Sequence, residues 1–469
     1  MTTPDQPGKP EDPAGSGNSA DSVQVPAGGG STPRSLLGWA RMTGAPVVVL
    51  TLLTALLGVM YLGYVADPEE NLHDFPIALV NQDLGDVLDT GGGQQQVNFG
   101  RQVTDGIVAA IPTDKVDLHV VGISEAERLL QTGQVYGAVV IPSDFSKSLG
   151  ILGIGSVVPG DIQRPIVTIE TNPRAGAYST QVVLRIADEM LVRVNEQVGR
   201  QLTDQVNAQL AASPPGAQAT ELTGAARVVL REPIDVLVQQ YHPLPNGTGQ
   251  GLTAFFYALL LLLAGVVGAM VIHTMVDAQL GFVPTEYGPW YVHYPPTPIT
   301  RFRTVLLKWG VMAVAAAIVS GVFLVTSHLL DLPLSHGLAL FLYSWLAIAA
   351  VGITGISMLA AIGSAGLLAN LILFVVLGLP SSGGTVPIEA TPPYFSWLAT
   401  FEPMHQVFLA IRAILYFDAS GPAGLTRGVW MTILGLGIGL VFGAVVTRFY
   451  DHKGLHRKNV LNRGAATAG

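Results

Sequence analysis

The residues from Pro46 to Ala66, PVVVLTLLTALLGVMYLGYVA, form a run of 21 without a single charge. A helix needs about 20 apolar residues to cross the hydrocarbon core of a bilayer. Such a run therefore fixes the solvent before any fold is considered. It recurs at Leu252–Val276, Trp309–Ser327, Gly337–Ala361 and Gly428–Val446. A shorter run, Leu367–Leu379, follows the break Gly363-Ser364-Ala365-Gly366. Counting it gives about six spans. Composition agrees: only 12% of the 469 residues are charged, against about 25% in soluble proteins. The first apolar run is too long for a signal peptide.

Orientation follows from lysine and arginine near the span ends. Arg34 and Arg41 precede the first span. Arg301, Arg303 and Lys308 lie between the second and third. Arg448, Lys453, Arg457, Lys458 and Arg463 follow the last. With six crossings all of these share one side. The reading is a multi-pass plasma-membrane protein with both termini cytoplasmic and residues 67–250 extracytoplasmic. Without the short run, the basic C-terminal tail moves outside. Residues 67–250 carry 22 acidic and 11 basic residues, a net of −11. That acidity argues against a nucleic-acid partner.

The expected fold class is an α-helical polytopic membrane protein with an inserted α/β extracytoplasmic domain. Residues 1–33, rich in Gly, Pro, Ser and Asp, read as a disordered cytoplasmic tail. Residues 34–66 hold an amphipathic stretch (33–45) and the first span. Residues 67–250 are the inserted domain, and 251–447 the remaining spans. The tail 448–469 is basic. Strands are expected at Phe75–Asn81, Val116–Val121, Val135–Ile141, Pro165–Thr171 and Glu232–Gln240, and helices at Gln95–Ile111 and Ala219–Leu230. Ser124 to Glu127 reads as a capping box opening a short helix that stops at Gly133. A long helix, about Gly176–Leu210, repeats apolar residues every fourth position from Tyr178 to Leu210. At about 100° per residue that stripe drifts roughly 40° per step. Either the helix breaks, at Gly199, or its two ends pack on different neighbours. A domain-core role and a stalk or dimer contact both stay open.

Chemistry-bearing motifs are sparse. There is no cysteine, so no disulfide and no thiolate metal site. None of the six lysines sits in a Walker A motif, and neither H-E-x-x-H nor G-x-S-x-G occurs. No catalytic residue, metal or cofactor is expected, and the chain does not read as an enzyme. The apolar runs hold no charge inside them, whereas proton-driven pumps place carboxylates or histidines there. Asn370 is the one strongly polar residue within a run. It either bonds another helix or meets a substrate.

Two regions look shaped for contact. The loop 278–300 holds Glu286, Tyr287 and Trp290 ahead of Arg301 and Arg303. It reads either as an aromatic belt with anchoring arginines or as a docking site. Residues 380–427 begin with Pro380, Gly383 and Gly384, and continue as an apolar stretch interrupted by Glu402 and Arg412. They read as a re-entrant segment, tolerated where protein or a water-filled cavity covers it.

Several segments together resemble the YhgE/Pip family, related to type-2 ABC exporter permeases. They are FPIALVNQDLG (75–85), VDLHVV with SEAERLLQTGQVYGAVVIPSDFSKSL (116–149), TNPRAGAYST (171–180), and LPSSGGTVPIE with EPMHQVFLAIRAILYF (379–417). The resemblance covers nearly everything after residue 35. It implies one span, a large exterior domain, then five spans. It makes 33–45 a connecting helix and 278–300 a coupling loop, with Glu286, Tyr287, Trp290, Arg301 and Arg303 as its candidates. It makes 393–417 outer gate helices, with Pro380, Gly383, Gly384, Glu402 and Arg412 as candidates around them. Family members include phage-infection receptors, a type VII secretion component and ABC permeases. The implied function is a permease-like subunit exporting a lipid-like or peptide substrate. Its partners would be the lipid bilayer, a second copy or larger membrane complex, and a separate cytoplasmic ATPase. The alternative is a non-transporting envelope scaffold or receptor acting through the exterior domain.

Overall fold

The structure, a computed structural model, describes residues 36–65, 67–89, 94–155, 163–176, 178–211 and 224–455. The tail 1–33, Arg34, Ser213–Gly216, Arg457, Lys458 and Arg463 lie outside the described residues. The chain forms two compact units, Met1–Ala55 and Leu56–Gly469. Helix α1 (Leu36–Val65) is already under way at Leu36 and runs through Pro46 without ending. The amphipathic stretch is thus continuous with the span from Leu36. Proline's fixed φ suits a helix, although it removes one hydrogen bond.

In the second unit, a five-stranded sheet has the order β4-β1-β5-β6-β7. Its strands are β1 (Phe75–Asn81), β4 (Val116–Val120), β5 (Gly137–Ile141), β6 (Ile166–Thr171) and β7 (Asp235–Gln240). β1 pairs in parallel with β4 and β5, and β6 in parallel with β7, while β5 and β6 are antiparallel. Helices cover both faces. Phe75, Ile77 and Leu79 point toward α2 (Phe99–Ala110), α4 (Phe145–Gly155) and α5 (Ser179–Ala211), while Ala78 and Val80 meet α3 (Ile123–Gln131). This explains why β1 reads as an uninterrupted apolar run.

Three expectations need correction. Gln95–Ile111 is not all helix: β2 (Asp86–Asp89) and β3 (Gln94–Val97) form a hairpin before α2 begins. Asn98 caps that helix, accepting from the Arg101 amide. Ser124 is not a cap. Helix α3 starts at Ile123 after an extended Gly122, with no side-chain capping bond, so Ser124 and Glu127 both lie inside the helix. Helix α5 does not break at Gly199. A Cβ there would stand 2.7 Å from the carbonyl oxygen of Leu230 in α6 (Gly224–Arg231), so the glycine permits close contact between two helices. The ends of α5 do meet different neighbours: Val183 lies against β5 at Gly137, and Leu202 against α4 at Gly153.

Among the described residues, five helices are long and apolar enough to cross a membrane. They are α1, α7 (Leu252–Gln279), α8 (Arg301–Leu329), α9 (Gly337–Ile362) and α13 (Thr426–His452). Where the sequence suggests a sixth, α10 (Ala365–Leu371) passes into a π-helical turn, Ile372–Val376. This piece is shorter than a span. Helix α9 is the most enclosed, packed by α7, α8 and α13. Helices α11 (Pro393–Ala399) and α12 (Pro403–Tyr416) complete the chain's second half. α12 joins the bundle core through Met404, Val407, Phe408 and Ile411. Between α7 and α8 lies a short hairpin, β8 (Thr285–Tyr287) and β9 (Trp290–Val292), where the sequence suggests only a loop.

Candidate functional site

The segment after residue 379 seats the sheet domain. Pro380–Ser382 make one 3-10 turn, ended by Gly383 in the left-handed region at φ 70°. Gly384 presses on Phe255 of α7, where a Cβ would lie 2.3 Å from a ring carbon. Both glycines are therefore fixed by geometry. Glu402 caps α12, its carboxylate accepting from the amides of Met404 at 2.6 Å and His405 at 3.2 Å. Its other oxygen abuts Gly378. His405 Nδ1 sits 2.9 Å from the Ser382 carbonyl oxygen, closing the turn onto the helix.

Arg412 does different work. It is buried at the far end of α12 and donates to the carbonyl of Ala175 at 2.7 Å. Its guanidinium lies between the rings of Phe408 and Phe417. Arg174 donates back to the Tyr416 carbonyl at 3.0 Å. Of these two candidates, Glu402 caps a helix, and Arg412 fastens that helix to the sheet domain.

Four further contacts complete this seat. The Tyr136 hydroxyl donates to Glu389 at 2.8 Å. The His73 amide donates to the Glu389 carbonyl at 2.8 Å, and the His73 ring meets Ser396 at 2.8 Å. Phe417 covers Gly133, where a Cβ would collide with the ring at 2.8 Å. Enclosure raises the Tyr136 hydroxyl well above its ordinary value, and the Glu389 charge adds to it. Burial likewise raises the Glu389 carboxyl, opposed by its hydrogen bonds and by Arg412 and His73. Sequence reasoning missed Tyr136 and Glu389 entirely. Nothing in a sequence pairs residues so far apart.

The opposite end of the bundle carries the hairpin and a charge cluster. Tyr287 and Trp290 face each other across the hairpin; both are exposed, Trp290 to 74%. Glu286 is exposed beside them. Arg301 is built into the bundle. Its amide donates to Asp451 of α13, its Nε to the Leu455 carbonyl, and its guanidinium lies over Tyr450. Arg303 is exposed, its amide capped by Thr300.

The spans are not wholly free of charge. Helices α7 and α8 run past their apolar runs and enclose Asp277 and Lys308. Lys308 is fully buried and lies 2.7 Å from Asp277, while His273 approaches both, at 3.1 Å from Lys308 and 3.2 Å from Asp277. Long helices hid this pair from a hydropathy reading, which placed both residues at span margins. Asn370, in α10, donates to the Gly355 carbonyl of α9 at 3.1 Å. It binds two helices together. Among the described residues no group of three or more His, Asp or Glu is arranged to hold a metal ion.

No curated protein and no solved structure matches this chain. One family description does, that of a protein of unknown function, DUF3533, and it matches residues 46–437. That match runs from the first apolar helix, through the sheet domain and its seat, to the last span, so the chain belongs to the DUF3533 family.

Proposed function

We propose that the chain is a permease-like subunit of an ABC-2-type export system in the plasma membrane, similar to the YhgE/Pip family. The observation that carries this reading is the division of labour between the two bundle ends. One end fastens a folded domain to the α11–α12 segment. The other presents a short hairpin with Tyr287 and Trp290 exposed beside Glu286. A separate cytoplasmic ATPase docks on that hairpin, and Arg301 transmits the contact by its ties to α13. Residues 67–250 are extracytoplasmic in this reading and both termini cytoplasmic, as the basic span ends favour.

The short α10 segment supports a fifth crossing. From Ala365 the chain stays in consecutive helical turns to Ser382. At about 1.5 Å per residue that path falls only a little short of a bilayer core of about 30 Å. The substrate is lipid-like or peptide, and the working unit is a homodimer or larger complex.

The test is affinity purification of the full chain from its native membrane. An ATPase should co-purify with the wild type and be lost from a Tyr287→Ala/Trp290→Ala variant that keeps the wild-type melting midpoint. Purification without any ATPase overturns the reading. It then favours a non-transporting scaffold or receptor. One observation speaks for that second reading: all six residues of β7, at the sheet's edge, are exposed, and an open edge strand is a template for another chain.

A further inference from the structure

A cleft of about 240 Å³ lies between α9, the π-helical turn, α12 and α13. Its walls include Val351, Leu373, Phe374, Val407, Leu434 and Ile438. No charged side chain lines it. The polar side chains that do are Thr354, Thr432 and Gln406, and each turns its donor to backbone, Thr354 to the Gly435 carbonyl at 3.5 Å. Thr432 donates to the Gly428 carbonyl at 2.7 Å and meets Tyr343 at 3.0 Å. Gln406 spends its amide hydrogens on the carbonyls of Ala399 and Thr400, at 2.8 and 3.2 Å. Those two bonds fix its nitrogen end, and its oxygen is enclosed in the wall.

What remains facing the cleft is hydrocarbon. An apolar cavity of roughly 150 Å³ already stays dry and takes up benzene, so this larger one suits an apolar guest over water. The rim identifies the guest. Phe401, Leu434 and Ile438 are exposed, and the latter two belong to α13, a helix apolar enough to cross a membrane. The cleft therefore opens sideways, where a span meets lipid tails. The π-helical turn supplies Leu373 and Phe374. Single π-turns inside helices often mark functional sites.

We propose that this cleft is a binding site for one acyl chain of a bilayer lipid, which enters laterally and is held apart from the surrounding annular lipid. The site goes beyond the export reading, because an acyl chain is held in the same way by a permease or by a scaffold.

Glycine positions supply the test. Gly435 lines the cleft, and a Cβ there meets nothing within 4 Å. Gly435→Leu thus starts from open space and extends a side chain at the cleft, and it should not lower helix stability. Gly437, also on α13, is equally open but does not line the cleft. The full chain is reconstituted in phosphatidylglycerol vesicles doped with a phospholipid carrying a diazirine midway along one acyl chain. After illumination, labelled residues are mapped by mass spectrometry. The wild type should be labelled at Leu373, Phe374 and Val351. That labelling should fall about tenfold, equivalent to about 1.4 kcal/mol, in Gly435→Leu and persist in Gly437→Leu. Labelling confined to outward residues such as Trp430 and Val441 overturns the proposal, because annular lipid alone gives that pattern. So does labelling inside the cleft that Gly435→Leu leaves unchanged.

Discussion

The hydroxyl of Tyr136 donates to the carboxylate of Glu389 at 2.8 Å across 253 residues of sequence. The same phenol ring stacks on Phe75, the first residue of β1, with centroids 4.7 Å apart. One side chain thus belongs both to the sheet core and to the seat beneath it. Tyr136→Phe keeps the stack and removes only the hydroxyl. It leaves Glu389 short of a donor in an enclosed site, a loss of about 1–3 kcal/mol. The thermal midpoint of the detergent-purified protein should drop accordingly. Combining it with Glu389→Leu, which removes the stranded acceptor, should cost less than the sum of the two single changes.

The Glu389 carboxyl is raised above the ordinary carboxylate value by burial. The unfolded chain therefore releases this proton at lower pH than the folded chain does. Stability contributed by the held proton is complete below the ordinary carboxylate range and is lost as pH rises through the raised folded value. Melting midpoints measured upward from about pH 4, just below the ordinary glutamate value, should show this decline. Glu389→Gln should flatten it. A slope equal in wild type and variant would assign the pH dependence elsewhere.

Lys308 and Asp277 test a different kind of pairing. Removing one partner of a buried ion pair strands the other, at about 3–5 kcal/mol, whereas replacing both by apolar groups is often neutral. Lys308→Met alone should therefore destabilise strongly. The double change Lys308→Met/Asp277→Leu should recover most of the loss in denaturant titrations. Failure of the double variant to recover would show that His273 and its surroundings need the charges for more than stability.

Gly199→Ala places a methyl 2.7 Å from one α6 carbonyl oxygen and 2.8 Å from the next. Backbone yields less easily than a side chain, so the helices must part. The expected cost is about 1–3 kcal/mol, visible as a lower melting midpoint. Gly435→Ala, in open space, should be neutral or mildly stabilising.

The legible parts of this fold were those written in one stretch of chain. The apolar runs announced the five long helices because lipid crossing demands length and dryness together. The strands of the sheet announced themselves because β1 and β5 are covered on both faces and need continuous apolar residues, while β6 alternates, burying Val167, Ile169 and Thr171. Boundaries were harder. Ser124 had the spacing of a cap, but the cap is Gly122, two residues earlier, and only the chain's φ and ψ there decide that. Lys308 looked like a span flank because its charge outweighed its neighbours. Its burial depends on Asp277, a residue on another helix. Of the seat formed by Tyr136, Glu389, Arg174 and Arg412, only Arg412 stood out in the sequence, as a charge in an apolar stretch; the pairings left no signal, because each contact joins segments more than 200 residues apart.

That separation also orders the protein's synthesis. The sheet domain has its own cores, built entirely from residues between Leu72 and Tyr241. Every contact that seats it on α11 and α12 comes from beyond residue 380. At roughly 5–20 residues per second, the ribosome needs tens of seconds to travel from Tyr136 to Glu389. A nascent chain passes through a stage with a formed domain and no place to rest it. The polar groups of the seat, Arg412 and Glu389 above all, reach their partners only when nearly the whole membrane region has been made. Docking of the domain is thereby a late event that reports completion of the bundle, and a chain stopped short of residue 380 carries a folded head on an unfinished base.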